Sequence, residues 1–332
     1  MKWISAIALA GVTATLGLTG LAGAAETSFG PANAKETYYW ISQDSTLPLF
    51  VRSDYRGMKR VADELGINVR VAGPANIDLA AFVAAIDEVC AQKPAGVSIV
   101  GWDPSLAASL DKCIDLGVPA VADDADLPNS KRLSFIGTNW ETIGREQAKA
   151  IVANLPNGGK VAMMSIIDAD NMQHAVKGFT DYFKQFGDKY QLVANEDDGG
   201  DSSKAATVTA SLIAAHPDIG AIAGFDAESG IGIVQALTEA GMAGKVVVTA
   251  MEATPDFFKT LKDGSVNAII VQNRELFTYY AIKLLYDFNH NGLTTNGMTG
   301  FAGTPIPVNV DTGVLVVTKD SVDKMLAGLP KE

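Results

Sequence analysis

From Glu36 onward the sequence alternates short apolar runs with longer stretches of helical periodicity, a pattern that few folds accommodate. The runs Val-Ser-Ile-Val (97–100) and Val-Val-Val-Thr (246–249) are apolar without alternation. That marks strands buried on both faces of a parallel sheet. The stretch after Pro48 has the other period, with Val51, Tyr55, Met58, Val61, Ala62 and Leu65 on one helical stripe. Regular alternation of the two predicts a doubly wound α/β architecture.

Strands are expected at 37–42, 67–72, 96–102, 118–123 and 133–137, then at 160–164, 190–195, 219–225, 245–250 and 266–271. Helices are expected at 48–65, 79–91, 106–116, 142–155, 172–186, 202–215, 229–240, 255–262 and 275–288. The halves resemble one another, each with a strand headed by Pro-Ala-Gly-Val (94–97) or Pro-Asp-Ile-Gly (217–220). Two Rossmann-like lobes in tandem imply a cleft, and such sheets bind ligands at the carboxyl ends of their strands.

The amino terminus stands apart. Lys2 precedes an apolar stretch from Ile4 to Leu21, and Ala22-Gly23-Ala24 offers a small-x-small cleavage site. Residues 1–25 are therefore expected to be a signal peptide, leaving an exported, soluble chain of about 307 residues. At 48% hydrophobic residues the composition supplies two cores. A net charge of −12 with no basic cluster argues against nucleic-acid partners and anionic lipid. Cys90 and Cys113 are the only cysteines, too few for a disulfide framework or a tetrahedral metal site. They fall on successive predicted helices, and either a disulfide between them or two buried thiols fits an oxidising compartment.

The strand ends carry the chemistry. Gln43, Asp44 and Ser45 follow the first strand. Later ends bring Trp102-Asp103, Asp123-Asp124, Asn139-Trp140, Asp168 to Asn171, Asp226, Glu252 and Gln272-Asn273-Arg274. Carboxylates and amides bind hydroxyls by charge-assisted and two-way hydrogen bonds, and aromatic rings cover C–H faces. The set suits a sugar or polyol. Asp and Asn after strands also serve as N-caps, and Trp40 within a strand reads as core. His174, His216 and His290 lack a matching nucleophile or metal-ligand spacing, so neither catalysis nor a metal or other cofactor is expected. The lone Gly230-Ile231-Gly232 reads as helix packing rather than a dinucleotide loop.

Several short motifs, in order along the chain, support a family assignment. They are Pro48-Leu49-Phe50, Gly117 to Asp126, Lys177-Gly178-Phe179, Ala215-His-Pro-Asp218, Ala253-Thr-Pro-Asp256, and Lys262-Asp-Gly264 ahead of Val271-Gln272. Over Glu36 to Ser321 the chain resembles the ribose/galactose-type (type I) periplasmic binding proteins of sugar ABC importers. The resemblance implies two lobes joined by a three-strand hinge, with crossovers near 138–140, 272–273 and 311–313. It divides the chain into an N-terminal lobe (26–138 plus 274–311) and a C-terminal lobe (139–273 plus 312–332).

As ligand positions the resemblance implies Asp124, Asp226, Glu252 and Gln272, with Phe50 as a stacking aromatic. Trp102, Asn139, Trp140, Asn171 and Gln173 complete the candidate set. Ala125 and Gln173 stand where sugar binders often carry arginine, and Arg52 or Arg274 could supply a cation instead. The expectation is a monomeric, periplasmic carrier that hands an unaltered polyhydroxylated ligand to an ABC permease. A sensor that presents itself to a chemoreceptor or kinase would use the same binding step. A secreted sugar-acting enzyme is the third reading, against which the absence of a poised nucleophile counts.

Overall fold

The computed structural model describes residues 27–290 and 306–328; the expected signal peptide lies outside them. The first sheet contains β1 (Ser28–Phe29), β2 (Thr37–Ile41), β3 (Asn68–Ala72), β4 (Gly96–Val100), β5 (Ala120–Asp124), β6 (Phe135–Gly137) and β12 (Asn309–Asp311). Their spatial order is β1-β3-β2-β4-β5-β6-β12. The second contains β7 (Gly159–Ser165), β8 (Tyr190–Asp197), β9 (Ile219–Gly224), β10 (Val247–Ala250), β11 (Ala268–Gln272) and β13 (Val314–Thr318), in the order β13-β11-β10-β9-β7-β8. Apart from the antiparallel edge strands β1 and β13, every described pairing is parallel.

Each sheet is buried on both faces because its strands carry apolar side chains in both directions. Along β2, Tyr38 and Trp40 join one core cluster while Tyr39 and Ile41 join another. Along β9, Ile222 faces one cluster, and Ala221 and Ala223 the other. Burying each large apolar side chain contributes on the order of 1.5–3 kcal/mol.

The helices are α1 (Pro48–Arg52), α2 (Asp54–Leu65), α3 (Leu79–Ala91), α4 (Leu106–Asp115), α5 (Trp140–Asn154), α6 (Asp170–Phe183), α7 (Ser202–Ala215), α8 (Ala227–Glu239), α9 (Lys259–Asp263), α10 (Arg274–Asn289) and α11 (Val322–Gly328). The expected single helix over 48–65 is broken at Ser53 (ψ −59°, φ −117°), where the hydroxyl lies 2.6 Å from the Leu49 carbonyl. That break turns Asp54 inward. The expected helix over 255–262 is reduced to α9, because Thr254 Oγ1 accepts from Phe257 N and holds a turn first. Strands β1, β12 and β13 are additions to the sequence reading.

Close helix contacts rest on glycines. A Cβ on Gly232 would press on the Ser202 carbonyl and Ala205, so α7 and α8 approach only without a side chain there. Cys90 and Cys113 form a disulfide with Cα atoms 5.3 Å apart, tying α3 to α4. The chain passes between the sheets after β6, after β11 and between β12 and β13. These passages are laced together. Asn273 Nδ2 donates to the Thr312 carbonyl (2.9 Å), Thr312 N to Gly137 O (2.9 Å), and Asn139 N to Asp311 Oδ1 (3.3 Å).

Candidate functional site

Without the edge strands β1, β12 and β13 the sheets run β3-β2-β4-β5-β6 and β8-β7-β9-β10-β11, the same winding twice. The direction of winding reverses beside β2 and β7, and the carboxyl ends there form the crevice in such sheets. The two crevices face each other. Arg52, at the end of α1 in the first lobe, lies 3.8 Å from Glu252, which follows β10 in the second. Trp140, opening α5, donates from Nε1 to the Asp124 carbonyl at 3.4 Å, again across the lobes.

In the first lobe the site is organised by Arg274, the first residue of α10. Its guanidinium donates to Asp54 (Nε 3.0 Å, Nη2 3.1 Å) and to Asp124 (Nη1 and Nη2, both 2.9 Å). It also lies over the Phe50 ring at 4.9 Å and the Phe277 ring at 5.1 Å. Paired planar contacts of this kind exploit the fixed fork of arginine. Asp124 adopts φ 62°, a left-handed conformation that its bidentate partner holds in place.

Beside this ion pair, Asp123 is fully buried and accepts from Trp40 Nε1 (2.9 Å) and Ser98 Oγ (3.0 Å). Burial pushes Asp123 up to about 7, and pushes Asp54 up to about 6 against the pull of Arg274. Three carboxylates lie close together, and the one guanidinium binds only Asp54 and Asp124. The excess proton belongs on Asp123, whose partners are neutral, rather than on Asp54, which the arginine neutralises.

Among the described residues of the second lobe, no arginine takes this part. Asp226 caps α8 by accepting from Ser229 N (2.7 Å), and its other oxygen lies 2.7 Å from Ser229 Oγ. Ser229 Oγ also donates to Asp198, a fully buried residue just after β8. Burial, then the Asp198 carboxylate, push Asp226 up to about 7. Burial also raises Glu252, with Arg52 pulling the other way.

At the carboxyl ends of β2, β10 and β11, four polar atoms are buried without a protein hydrogen-bond partner: Gln43 Nε2, Asp44 Oδ1, Glu252 Oε1 and Gln272 Nε2. Two belong to each lobe. An unmade bond of this kind costs about 1–3 kcal/mol, which a hydroxylated guest would offset.

The structure distributes the sequence-derived candidates unevenly. Asp124, Asp226, Glu252 and Gln272 all lie at carboxyl strand ends. Phe50 is 1% exposed and packs edge-on against Trp40, so its ring belongs to the wall behind the site. Trp102 is half-buried against the same cluster. Asn139 is exposed, and its Oδ1 caps α5 through Thr142 N (3.1 Å). Asn171 lies partly buried in the first turn of α6, and exposed Gln173 donates to the Ile167 carbonyl.

Sequence reasoning missed Asp54, Asp198 and Ser229 as site residues. Asp54 was detectable: it precedes Met58 by four residues and Val61 by seven, an acid on an apolar stripe. Asp198 sits in a run of acids that nothing local distinguishes.

Comparison with known proteins agrees with the two-lobed fold. The description "periplasmic binding protein domain" matches residues 38–290. The ribose import binding protein of Bacillus subtilis (strain 168) is 24% identical over 264 residues, covering 78% of this chain and 83% of that protein. A sugar-binding protein of a sugar ABC transporter from Bacillus halodurans superposes with a TM-score of 0.81 at 26% identity, over 87% of this chain and 99% of that one. The arabinose-binding protein AraP of Geobacillus stearothermophilus gives 0.76 at 27%, over 87% and 98%.

Proposed function

Because the chain belongs to the periplasmic binding protein family, we propose that it captures a sugar or polyol between its lobes and delivers it to an ABC importer. The observation that carries this reading is the set of four buried polar atoms without a hydrogen-bond partner, two donors and two acceptors, divided between the facing strand ends. A molecule with hydroxyls on several sides satisfies both kinds at once.

In this reading residues 26–138 with 274–311 move against 139–273 with 312–332, and the three laced crossovers act as the hinge. Ligand shifts the population to the closed form, since only closure brings both halves of the hydrogen-bonding ring to one guest. The Arg52–Glu252 contact is one latch of that form. The family and fold are those of solute-binding proteins, and we take the ligand to leave chemically unchanged. Residues 1–25 would direct the protein to the periplasm, where it would work as a monomer beside its permease.

A thermal-shift screen of pentoses, hexoses and alditols on the mature chain tests the reading. At least one should raise the melting temperature, and Gln272→Ala should weaken that ligand by about 1 kcal/mol. Failure of every sugar and polyol to bind would defeat it.

A further inference from the structure

We propose that Asp198 and Ser229 are positioning residues for ligand recognition: the serine bridges Asp198 to Asp226, the two carboxylates share one proton, and capture of a neutral sugar is thereby coupled to proton uptake. The inference rests on the sugar-binding reading above and adds the protonation state in which the second lobe presents Asp226.

The argument is one of counting protons. Ser229 Oγ has a single hydrogen, yet it lies within hydrogen-bond distance of one oxygen of Asp198 and one of Asp226. It donates to one; the other contact requires a carboxyl proton donated to the serine oxygen. Asp198 is fully buried, its Oδ1 accepts from Gly200 N (3.0 Å), and it makes no ion pair among the described residues. The nearest lysine, Lys204, is held by Asp197 at 2.6 Å.

The remaining charged groups on the elements around the pair are mostly acidic. Asp201 caps α7, Glu228 lies in the first turn of α8, Asp168 and Asp170 follow β7, and Glu252 follows β10. Arg52 reaches only Glu252 across the cleft. A second negative charge on the pair therefore has no compensating cation, and the raised titration of Asp226 agrees with this. Glu252 Oε1, buried without a hydrogen-bond partner on the neighbouring strand end, independently places the guest on this side of the sheet.

Closing a neutral sugar over Asp226 removes water from the pair and makes the second charge costlier still. Binding then takes up a proton wherever the free pair has begun to lose it, so affinity falls as pH rises through that range. An amino sugar reverses the sign: its ammonium stabilises the doubly ionised pair, and binding releases a proton.

The test uses the mature chain and a neutral sugar found to bind it. Calorimetry in buffers of different ionisation enthalpy should show proton uptake, with affinity about threefold to tenfold lower at pH 8 than at pH 6. In Asp198→Asn the amide donates to Ser229 Oγ, the bridge survives, and both the proton uptake and the pH dependence should vanish. Infrared spectra of the unliganded protein at pH 6 should lose one protonated-carboxyl band in the same variant. Ser229→Ala, which removes the bridge without adding charge, should alter that band as well. Sugar binding without proton exchange, or with the same exchange in Asp198→Asn, overturns the proposal, as does an unchanged carboxyl spectrum. If no sugar binds while the band behaves as described, the sugar reading fails and the recognition role fails with it, but the shared proton stands.

Discussion

The two lobes share a strand order and place buried acids at matching edges, yet they neutralise those acids by different means. The first uses a cation: Arg274 reaches from the second crossover to bind Asp54 and Asp124 in pairs of hydrogen bonds. The second uses a hydroxyl and a proton, with Ser229 set between Asp198 and Asp226. A guanidinium fixes geometry and stays charged at every accessible pH. A shared proton can be gained and lost near neutrality. The Asp54–Arg274–Asp124 cluster is accordingly a rigid wall, and the Asp198–Ser229–Asp226 bridge the part whose charge adjusts to the guest.

The sharpest way to break this contrast is to remove the cation. Arg274→Leu leaves two buried carboxylates without a partner and should cost about 3–5 kcal/mol of stability in denaturant unfolding. A loss below 1 kcal/mol would mean that the first lobe does not depend on its ion pair. Next in size is the disulfide, which belongs to the first lobe. Reduction, or Cys90→Ser with Cys113→Ser, should cost about 3 kcal/mol for a loop of this length. Hydrogen exchange should locate the loosening in α3 and α4 rather than in α7 and α8.

Two further changes separate binding from stability. Asp226→Ala should weaken the ligand by more than about 1.5 kcal/mol, measured by calorimetry, because it removes charge-assisted hydrogen bonds. Asp124→Ala, whose target carboxylate is already engaged by Arg274, should show its main loss in unfolding instead. The smallest effect concerns Asp123. Its carboxyl rises from 3.8 unfolded to about 7 folded, so the folded state holds a proton that the unfolded chain releases between those values. That destabilising contribution grows as pH rises through the window and is fully present above the folded value. Asp123→Asn keeps an acceptor for Trp40 and gains a donor for Ser98. It should stabilise the protein more at pH 8 than at pH 5. Equal effects at both pH values would place the excess proton elsewhere.

Much of the architecture was legible because it is written in local periodicity. The unbroken apolar runs of β4 and β10 and the stripe through Met58 and Val61 need no distant partner to be recognised. The edge strands were not legible: β1 has two residues, and β12 and β13 depend on neighbours laid down more than 40 residues earlier. At the site, strand-end acids and amides were visible as types, with capping foreseen as one of their roles, but which residue takes which role was not. Asn139 proved to be a cap and Phe50 a wall.

The sequence by itself determined two doubly wound lobes and the carboxyl edges where polar side chains gather, because both follow from the period of hydrophobicity within single elements and the order of those elements along the chain. Only the tertiary structure decided which acids are neutralised and how. Arg274 lies 220 residues from Asp54 and 150 from Asp124, and Ser229 lies 31 from Asp198. Charge compensation depends on distance in space and on exclusion of water, and neither quantity exists until the chain has folded.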